Sequence, residues 1–214
     1  MTKLTITERE AIKEYIAARG IHSLYHFTRV ENLESILQHG LLSVAELQRQ
    51  GIRHFYNDSA RMDKCPDANC LSISFPNYRV FCRKRKEKVN AIWVVIELDA
   101  KILYELDCAF CRTNAARSDI AALSLDERRG VGALERMYDE IEHMRGNIPQ
   151  SYPTDPQAEV LALENIPPKY IKGVYVNNGF VQYYVEELHR FVDCRVKGEF
   201  FGPRCDWEAW RQAA

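Results

Sequence analysis

The chain reads as an α+β domain, a sheet flanked by helices, and three observations predict it. Its strand-like segments are too many for a helical bundle, and helices interrupt them irregularly rather than in strict alternation. Ala91-Ile-Trp-Val-Val-Ile-Glu-Leu98 is a continuous apolar run, as expected of a strand in the middle of a sheet. At 214 residues the chain is long enough for one sizeable core. No repeat, low-complexity stretch or interdomain linker divides it.

The elements follow in order. Thr7 is placed to cap a helix over about Glu8 to Ala18, with Glu10 at its third position and Gly20 as its stop. Residues 1–20 are read as a helical appendage to a domain over 21–214. Ile21 to Phe27 is rich in strand formers with approximate alternation. A polar break at Thr28-Arg29 leads to a helix from about Val30 to His39. It carries Val30, Leu33, Ile36 and Leu37 on one face and stops at Gly40. A short helix over about Val44 to Gln50 ends at Gly51. From Ile52 to Asn69 the chain is polar and aperiodic, a length of loop that in a domain is usually functional or disordered.

Cys70 to Phe75 alternates like a half-buried strand and closes at Pro76-Asn77. Ala100 to Tyr104 forms a helical turn after the central strand. Ser124 to Arg145 is expected to be mostly helical, with Leu134, Met137, Tyr138 and Ile141 facing the core. Tyr152-Pro-Thr-Asp-Pro-Gln-Ala-Glu-Val-Leu-Ala162 then converts a proline-fixed loop into an apolar strand, with Glu159 at the junction. A strand at Ile171 to Val176, a helix at about Val181 to Val192 and a terminal strand near Glu199 to Phe201 complete the chain.

A formal charge of −1 argues against a protein that coats nucleic acid indiscriminately. No stretch approaches the ~20 apolar residues of a membrane span, and the N-terminus lacks a signal-peptide apolar region. Seven cysteines at irregular spacings point to a reducing, cytoplasmic setting rather than a disulfide scaffold. Cys65-x4-Cys70 and Cys108-x2-Cys111 invite a zinc reading, but the second pair brackets Ala109-Phe110, a strand-like dipeptide, and no metal is expected. No Walker loop, GxGxxG, HExxH or GxSxG is present.

Polar groups gather at four places beside strand ends: His26 with Thr28, Arg61 in the long loop, Ser72 to Tyr78, and Glu159. Each has a bland alternative. His26 also reads as a satisfied core histidine, Thr28 as a helix cap, Arg61 as a solvent-exposed arginine and Glu159 as a solvated charge. The run Arg79 to Lys88 holds six basic residues and one acidic one. It reads either as a solvated helix end or as a phosphate-tracking patch with Tyr78 and Phe81 for base stacking.

Leu24-Tyr-His-Phe-Thr28, then Asn32-Leu-x-x-Ile36-Leu and Gly40-Leu-Leu, resembles the opening of DarT-type ADP-ribosyltransferases. Arg61-Met-Asp63, Leu71-Ser-Ile-Ser-Phe-Pro-Asn-Tyr78, Gln157-Ala-Glu159 and Phe201-Gly-Pro-Arg204-x-Asp-Trp207 resemble the later blocks in the same order. The resemblance implies an ADP-ribosyltransferase-like domain with a central mixed or antiparallel sheet. It implies a toxin that moves ADP-ribose from NAD to a base, thymine or guanine, of single-stranded DNA, with RNA as the alternative polymer. A macrodomain-type antitoxin would be its partner.

Carried over, Glu159 and Arg61 would be catalytic, with Arg61 also on the NAD phosphates. His26, Thr28, Asn32, Gly40, Leu41, Ser72 and Ser74 would form the NAD side. Tyr78, Arg79, Arg83, Lys84, Arg85, Tyr152 and Arg204 would meet nucleic acid, and the loop from about Gly146 to Pro156 would face the substrate. The chain departs from thymine-directed members at Ser72-Ile73-Ser74, where they carry aromatic residues, and looks more like a guanine-directed branch.

Overall fold

The structure is a computed structural model that describes residues 4–55, 65, 67–141, 144–145, 148–190 and 192–212. Helix α1 (Ile6–Ala18) leads into β1 (Ser23–Arg29), then α2 (Leu33–His39), α3 (Val44–Arg49) and β2 (Asn69–Ile73). After α4 (Tyr78–Glu87) come β3 (Trp93–Asp99), α5 (Ile102–Glu105), β4 (Cys108–Cys111), α6 (Ser118–Ala121) and α7 (Gly130–Arg136). The chain ends through β5 (Glu159–Ala162), β6 (Ile171–Val176), α8 (Gly179–Leu188), β7 (Cys194–Val196) and α9 (Trp207–Gln212). The seven strands form one sheet in the order β4-β5-β2-β1-β3-β6-β7. Every pairing is antiparallel except β6 with β7, so the expected mixed α+β architecture is found.

Alternation along the strands builds three buried clusters, one of them around Ala109, Ile120 and Leu161. Leu24, Leu71, Val94, Ile96, Val160 and Val174 share one face with Ile12 and Ile16 of α1 and Leu134 of α7. Tyr25, Trp93, Val95 and Tyr175 share the other with Phe81 of α4 and Phe200. The central run is interior as predicted: Trp93 to Leu98 is buried throughout because both faces are covered.

Several boundaries move for physical reasons. Thr5, not Thr7, caps α1, in a reciprocal capping box with Glu8. Helix α1 packs on the rest of the chain: Ile12 and Ile16 sit in the main core, and Arg9 donates to the Tyr104 and Glu105 carbonyls. Thr28 and Arg29 stay in β1 because all seven residues of that strand pair with β3. Among the described residues of 124–145 the expected helix is broken: Gly130 takes a left-handed φ of +75°, and α7 runs from Gly130 to Arg136. Glu199 to Phe201 forms a 3-10 turn, not a strand, and the last ladder is β7. Gly40 has φ +82°, and a Cβ there would lie 2.0 Å from the Ile166 carbonyl oxygen. Glycine therefore lets α2 stop while Leu41 pairs with Ile166.

Candidate functional site

The site begins where the sheet splits. Strand β1 pairs with β3 along its whole length but with β2 only at Leu24↔Ile73 and Tyr25↔Ser72. Beyond Tyr25 the two strands part, and the His26 ring reaches across, its Nδ1 2.9 Å from the Cys70 carbonyl oxygen. A carbonyl can only accept, so Nδ1 carries the proton of this hydrogen bond. The gap opens into a cavity of about 510 Å³ lined by Tyr25 to Thr28 of β1, Asn69 to Ser72 of β2, and Glu159.

The far wall is equally ordered. Asn32 donates to Thr28 Oγ1 at 3.0 Å and exchanges two hydrogen bonds with the Phe55 backbone, at 2.9 and 2.8 Å. Thr28 is therefore a buried partner of Asn32, not a helix cap. Gly40 and Leu41 also line the cavity, and the buried Asn69 amide donates to the Leu41 carbonyl. Of the expected NAD-side residues, His26, Thr28, Asn32, Gly40, Leu41 and Ser72 are brought together. Ser74 is not: it turns the chain out of β2 with φ 62° and lies off the lining. Arg61 falls outside the described residues.

Glu159 opens β5, half-buried and in register with Cys111. Its Oε2 accepts the Ala115 N–H at 2.8 Å, and Oε1 accepts from the amides of Asn77 at 3.3 Å and Asn114 at 3.4 Å. These three donors aim the carboxylate. Asn77 and Asn114 are functional candidates that the sequence reading did not single out. The signal for Asn77 was its place after Pro76 at the head of a helix; Asn114 carried none.

The proline loop behind Glu159 is strapped from two sides. Arg204 is 2% exposed and donates to the Pro153 and Thr154 carbonyls at 2.8 and 2.7 Å. The same guanidinium grips Asp206 through Nε at 2.7 Å and Nη2 at 2.5 Å. Arg145 donates to the Tyr152 carbonyl and to Thr154 Oγ1, each at 3.0 Å. An Asp155 turn, closed by the Gln157 N–H on its carboxylate at 2.7 Å, delivers the chain into β5. This corrects the expectation for Arg204: its charge is spent inside the protein and does not face a nucleic-acid backbone. Tyr152 is half-buried against Phe75, with ring centroids 5.7 Å apart.

Helix α4 divides the basic run. Asn77, Val80, Arg83 and Lys84 recur at helical spacing and line the cavity. Arg83 is 61% exposed and Lys84 12%, so Lys84 is the more deeply set. Arg85 points elsewhere: it donates to the Phe201 carbonyl at 2.5 Å and lies over the Phe81 and Phe201 rings. It fastens the C-terminal segment and is not a free phosphate ligand. Tyr78 and Arg79 are half-buried and off the lining. Burial, then the Asp206 charge, raises the Tyr78 phenol above its ordinary value.

Cys108 and Cys111 are buried thiols of an edge strand. Burial raises both, Cys111 to about 11 against the favourable Arg128 interaction. Among the described residues no group of three or more His, Cys, Asp or Glu is placed to hold a metal.

Solved structures share this fold. Thermosipho africanus DarTG in complex with ADP-ribose aligns with a TM-score of 0.58 at 22% identity, over 84% of this chain and 50% of that one. The chain thus spans about half the length of that protein. Thermus sp. 2.9 DarT aligns over 84% of this chain and 97% of its own. Its complex with NAD+ gives a TM-score of 0.54 at 13% identity, and that with carba-NAD+ gives 0.55 at 15%. No curated protein matches the chain. A family model described as "ssDNA thymidine ADP-ribosyltransferase, DarT" matches residues 25–198. That match covers both walls of the cavity, the α4 helix and Glu159, and by it the chain belongs to the DarT family.

Proposed function

We propose that the protein transfers ADP-ribose from NAD to a base of single-stranded DNA, as the toxin of a toxin–antitoxin pair. The observation that carries the reading is Glu159, held by Ala115, Asn77 and Asn114 in the same cavity as His26 and Thr28. The cavity volume of about 510 Å³ falls within the range of about 300–1,000 Å³ usual for ligand pockets. Membership of the DarT family supports the choice of polymer. A macrodomain-type antitoxin as partner and a cytoplasmic setting complete the proposal; no described helix is long and apolar enough to cross a membrane.

In this reading NAD lies along the split between β1 and β2. His26, fixed through its Nδ1–H on the Cys70 carbonyl, presents its ring edge to a ribose hydroxyl. When the bond from C1′ to the nicotinamide nitrogen breaks, its electron pair leaves with nicotinamide and the ribose becomes oxocarbenium-like. The Glu159 carboxylate stabilises that charge, aimed by donors that need not reorganise. A base nitrogen then attacks C1′ and gives its proton to Glu159. Lys84, nearly buried in the lining, is suited to the NAD phosphates. The strapped loop from Tyr152 to Asp155 holds the incoming base in line, since a misplaced electrophile would meet water and yield NAD hydrolysis.

The test is the mass change of defined oligonucleotides incubated with NAD and the protein. Single-stranded DNA is expected to gain one ADP-ribose, and fragmentation identifies the base. Modification of RNA alone would overturn the choice of polymer. Glu159→Gln is expected to lower transfer by at least about a hundredfold while NAD affinity stays within a few-fold. Near-normal transfer by that variant would sink the assignment.

A further inference from the structure

At the β4 edge of the sheet, next to the Glu159 strand, lies a second cavity of about 250 Å³, lined by Arg112, Asp119, Glu127, Arg128 and Arg136 around Phe110. Arg128 is its unusual member. It is 5% exposed, and among the described residues no carboxylate forms an ion pair with it. Its Nε lies 3.4 Å from the Ser124 carbonyl oxygen and its Nη1 3.9 Å from Cys111 Sγ, both long separations. A buried guanidinium that no carboxylate bonds directly is costly, and an anion in the cavity would offset that cost.

The cavity's two carboxylates are shared among several donors, and the charges of Arg128 and Arg136 both act on Glu127. Glu127 accepts from the Ser124 N–H and hydroxyl, both at 2.8 Å. Asp119 accepts from Arg117 Nε at 2.8 Å and reaches Arg112 only at 3.5 Å. Arg136 donates to the Glu127 carbonyl oxygen at 2.7 Å, which carries no net charge. The Cys111 thiol, raised by burial to about 11, stays protonated and adds none. Three guanidiniums therefore share two carboxylates around this space, an excess of positive charge, and neither carboxylate bonds Arg128 directly.

We propose that this cavity binds a phosphodiester group of the same single strand whose base is presented to Glu159. Guanidinium forks match phosphate oxygens in geometry as well as charge. The position fits a neighbouring nucleotide. Arg112 directly follows Cys111, the register partner of Glu159. Asn114, which bonds Glu159, is two residues further on, so the Arg112 and Asn114 Cα atoms are at most about 7 Å apart. Arg117 lines the first cavity and pairs with Asp119 of the second, so one short segment walls both. The assignment rests on the reading that single-stranded DNA is the substrate.

The test compares wild type with the double variant Arg112→Gln/Arg136→Gln, whose side chains lie outside the cores, and with Arg128→Met. Binding of a labelled single-stranded DNA 10-mer is followed by anisotropy at several salt concentrations. The double variant is expected to bind roughly tenfold more weakly at low salt, with a salt slope shallower by about 0.7 for each phosphate no longer neutralised. Arg128→Met, where it folds, should show the same direction. Unchanged affinity and slope in the double variant would overturn the site. So would a loss confined to inorganic phosphate with strand affinity intact. The NAD-dependent mass shift of the wild type is read separately, so failure of the phosphate site and failure of the proposed reaction give different results.

Discussion

Asn77 uses one side chain to start a helix and to aim a carboxylate. Its Oδ1 accepts the Val80 N–H at 3.2 Å as the cap of α4, while its Nδ2 donates to Glu159 Oε1 at 3.3 Å. Its own N–H is held by Ser72 Oγ at 3.1 Å, and the residue is 1% exposed. The basic helix and the reacting centre are thereby coupled through one amide.

Two substitutions separate those roles. Asn77→Asp keeps a capping oxygen but buries a second carboxylate against Glu159, so it should lower stability through charge and not through the cap. A like charge raises a carboxylate's pKa, so the acidic limb of the pH–rate profile should move to higher pH. Asn77→Ala loses the cap at a cost of about 1 kcal/mol and leaves Glu159 less well aimed. Chemical denaturation and pH profiles of both variants check this. An unmoved acidic limb in Asn77→Asp would show that the amide does not act on Glu159.

Neighbouring cations on α4 should give different phenotypes. Lys84 lines the cavity and is 12% exposed, so Lys84→Met is expected to raise the KM for NAD roughly tenfold with stability little changed. Arg85 is bonded to the Phe201 carbonyl and lies over two rings, so Arg85→Met should lower the thermal midpoint and leave that KM almost unaltered. Equal effects of the two changes on the KM would contradict the division of the helix.

Local chemistry explains what the sequence made legible. Pro153 and Pro156 announce the loop, the apolar run after Glu159 announces β5, and Gly40 marks a stop that no side chain would tolerate. Of the set that the family resemblance orders, His26, Thr28, Asn32, Ser72 and Glu159 converge on one cavity, while Arg61 lies outside the described residues. What escaped depends on distant partners. Nothing near Arg204 reveals that it will be buried under carbonyls some fifty residues away. Glu199 to Phe201 has strand-like composition, yet Phe200 packs into the aromatic core through a 3-10 turn instead of joining a ladder.

Acid should loosen the sheet at Glu97. This buried carboxylate of β3 accepts from Ser23 Oγ at 2.6 Å and Tyr175 at 3.0 Å, with Lys172 Nζ at 3.2 Å. Burial alone would raise its pKa, but the Ser23, Lys172 and Tyr175 hydrogen bonds outweigh it, and the net value lies below the ordinary 4.5. The folded state therefore favours the ionised form. That stability is fully present above the ordinary value and is lost as pH falls through the lowered one. Thermal midpoints of wild type should drop as pH is lowered below about 4.5, and Glu97→Gln should show a flatter acid limb. Parallel curves for the two proteins would rule Glu97 out as the titrating group.

Arg204 supplies the sharpest contrast between its expected role and its observed one. Its side chain is 3% exposed and that of Asp206 5%, and two carbonyls of the proline loop accept from Nη1 and Nη2. Removing one member of a buried pair leaves the other uncompensated, so Arg204→Met should cost about 3–5 kcal/mol in urea unfolding. Arg204→Met/Asp206→Leu removes both charges and should recover a large part of that loss. The loop would still lack its anchor at Pro153 and Thr154, so transfer should stay low in the double variant even where stability returns. Measuring stability and transfer together separates the buried pair from the positioned loop. If the double variant regains both, Arg204 matters for folding alone. If Arg204→Met stays stable but loses salt-dependent DNA binding, the guanidinium faces the nucleic acid after all.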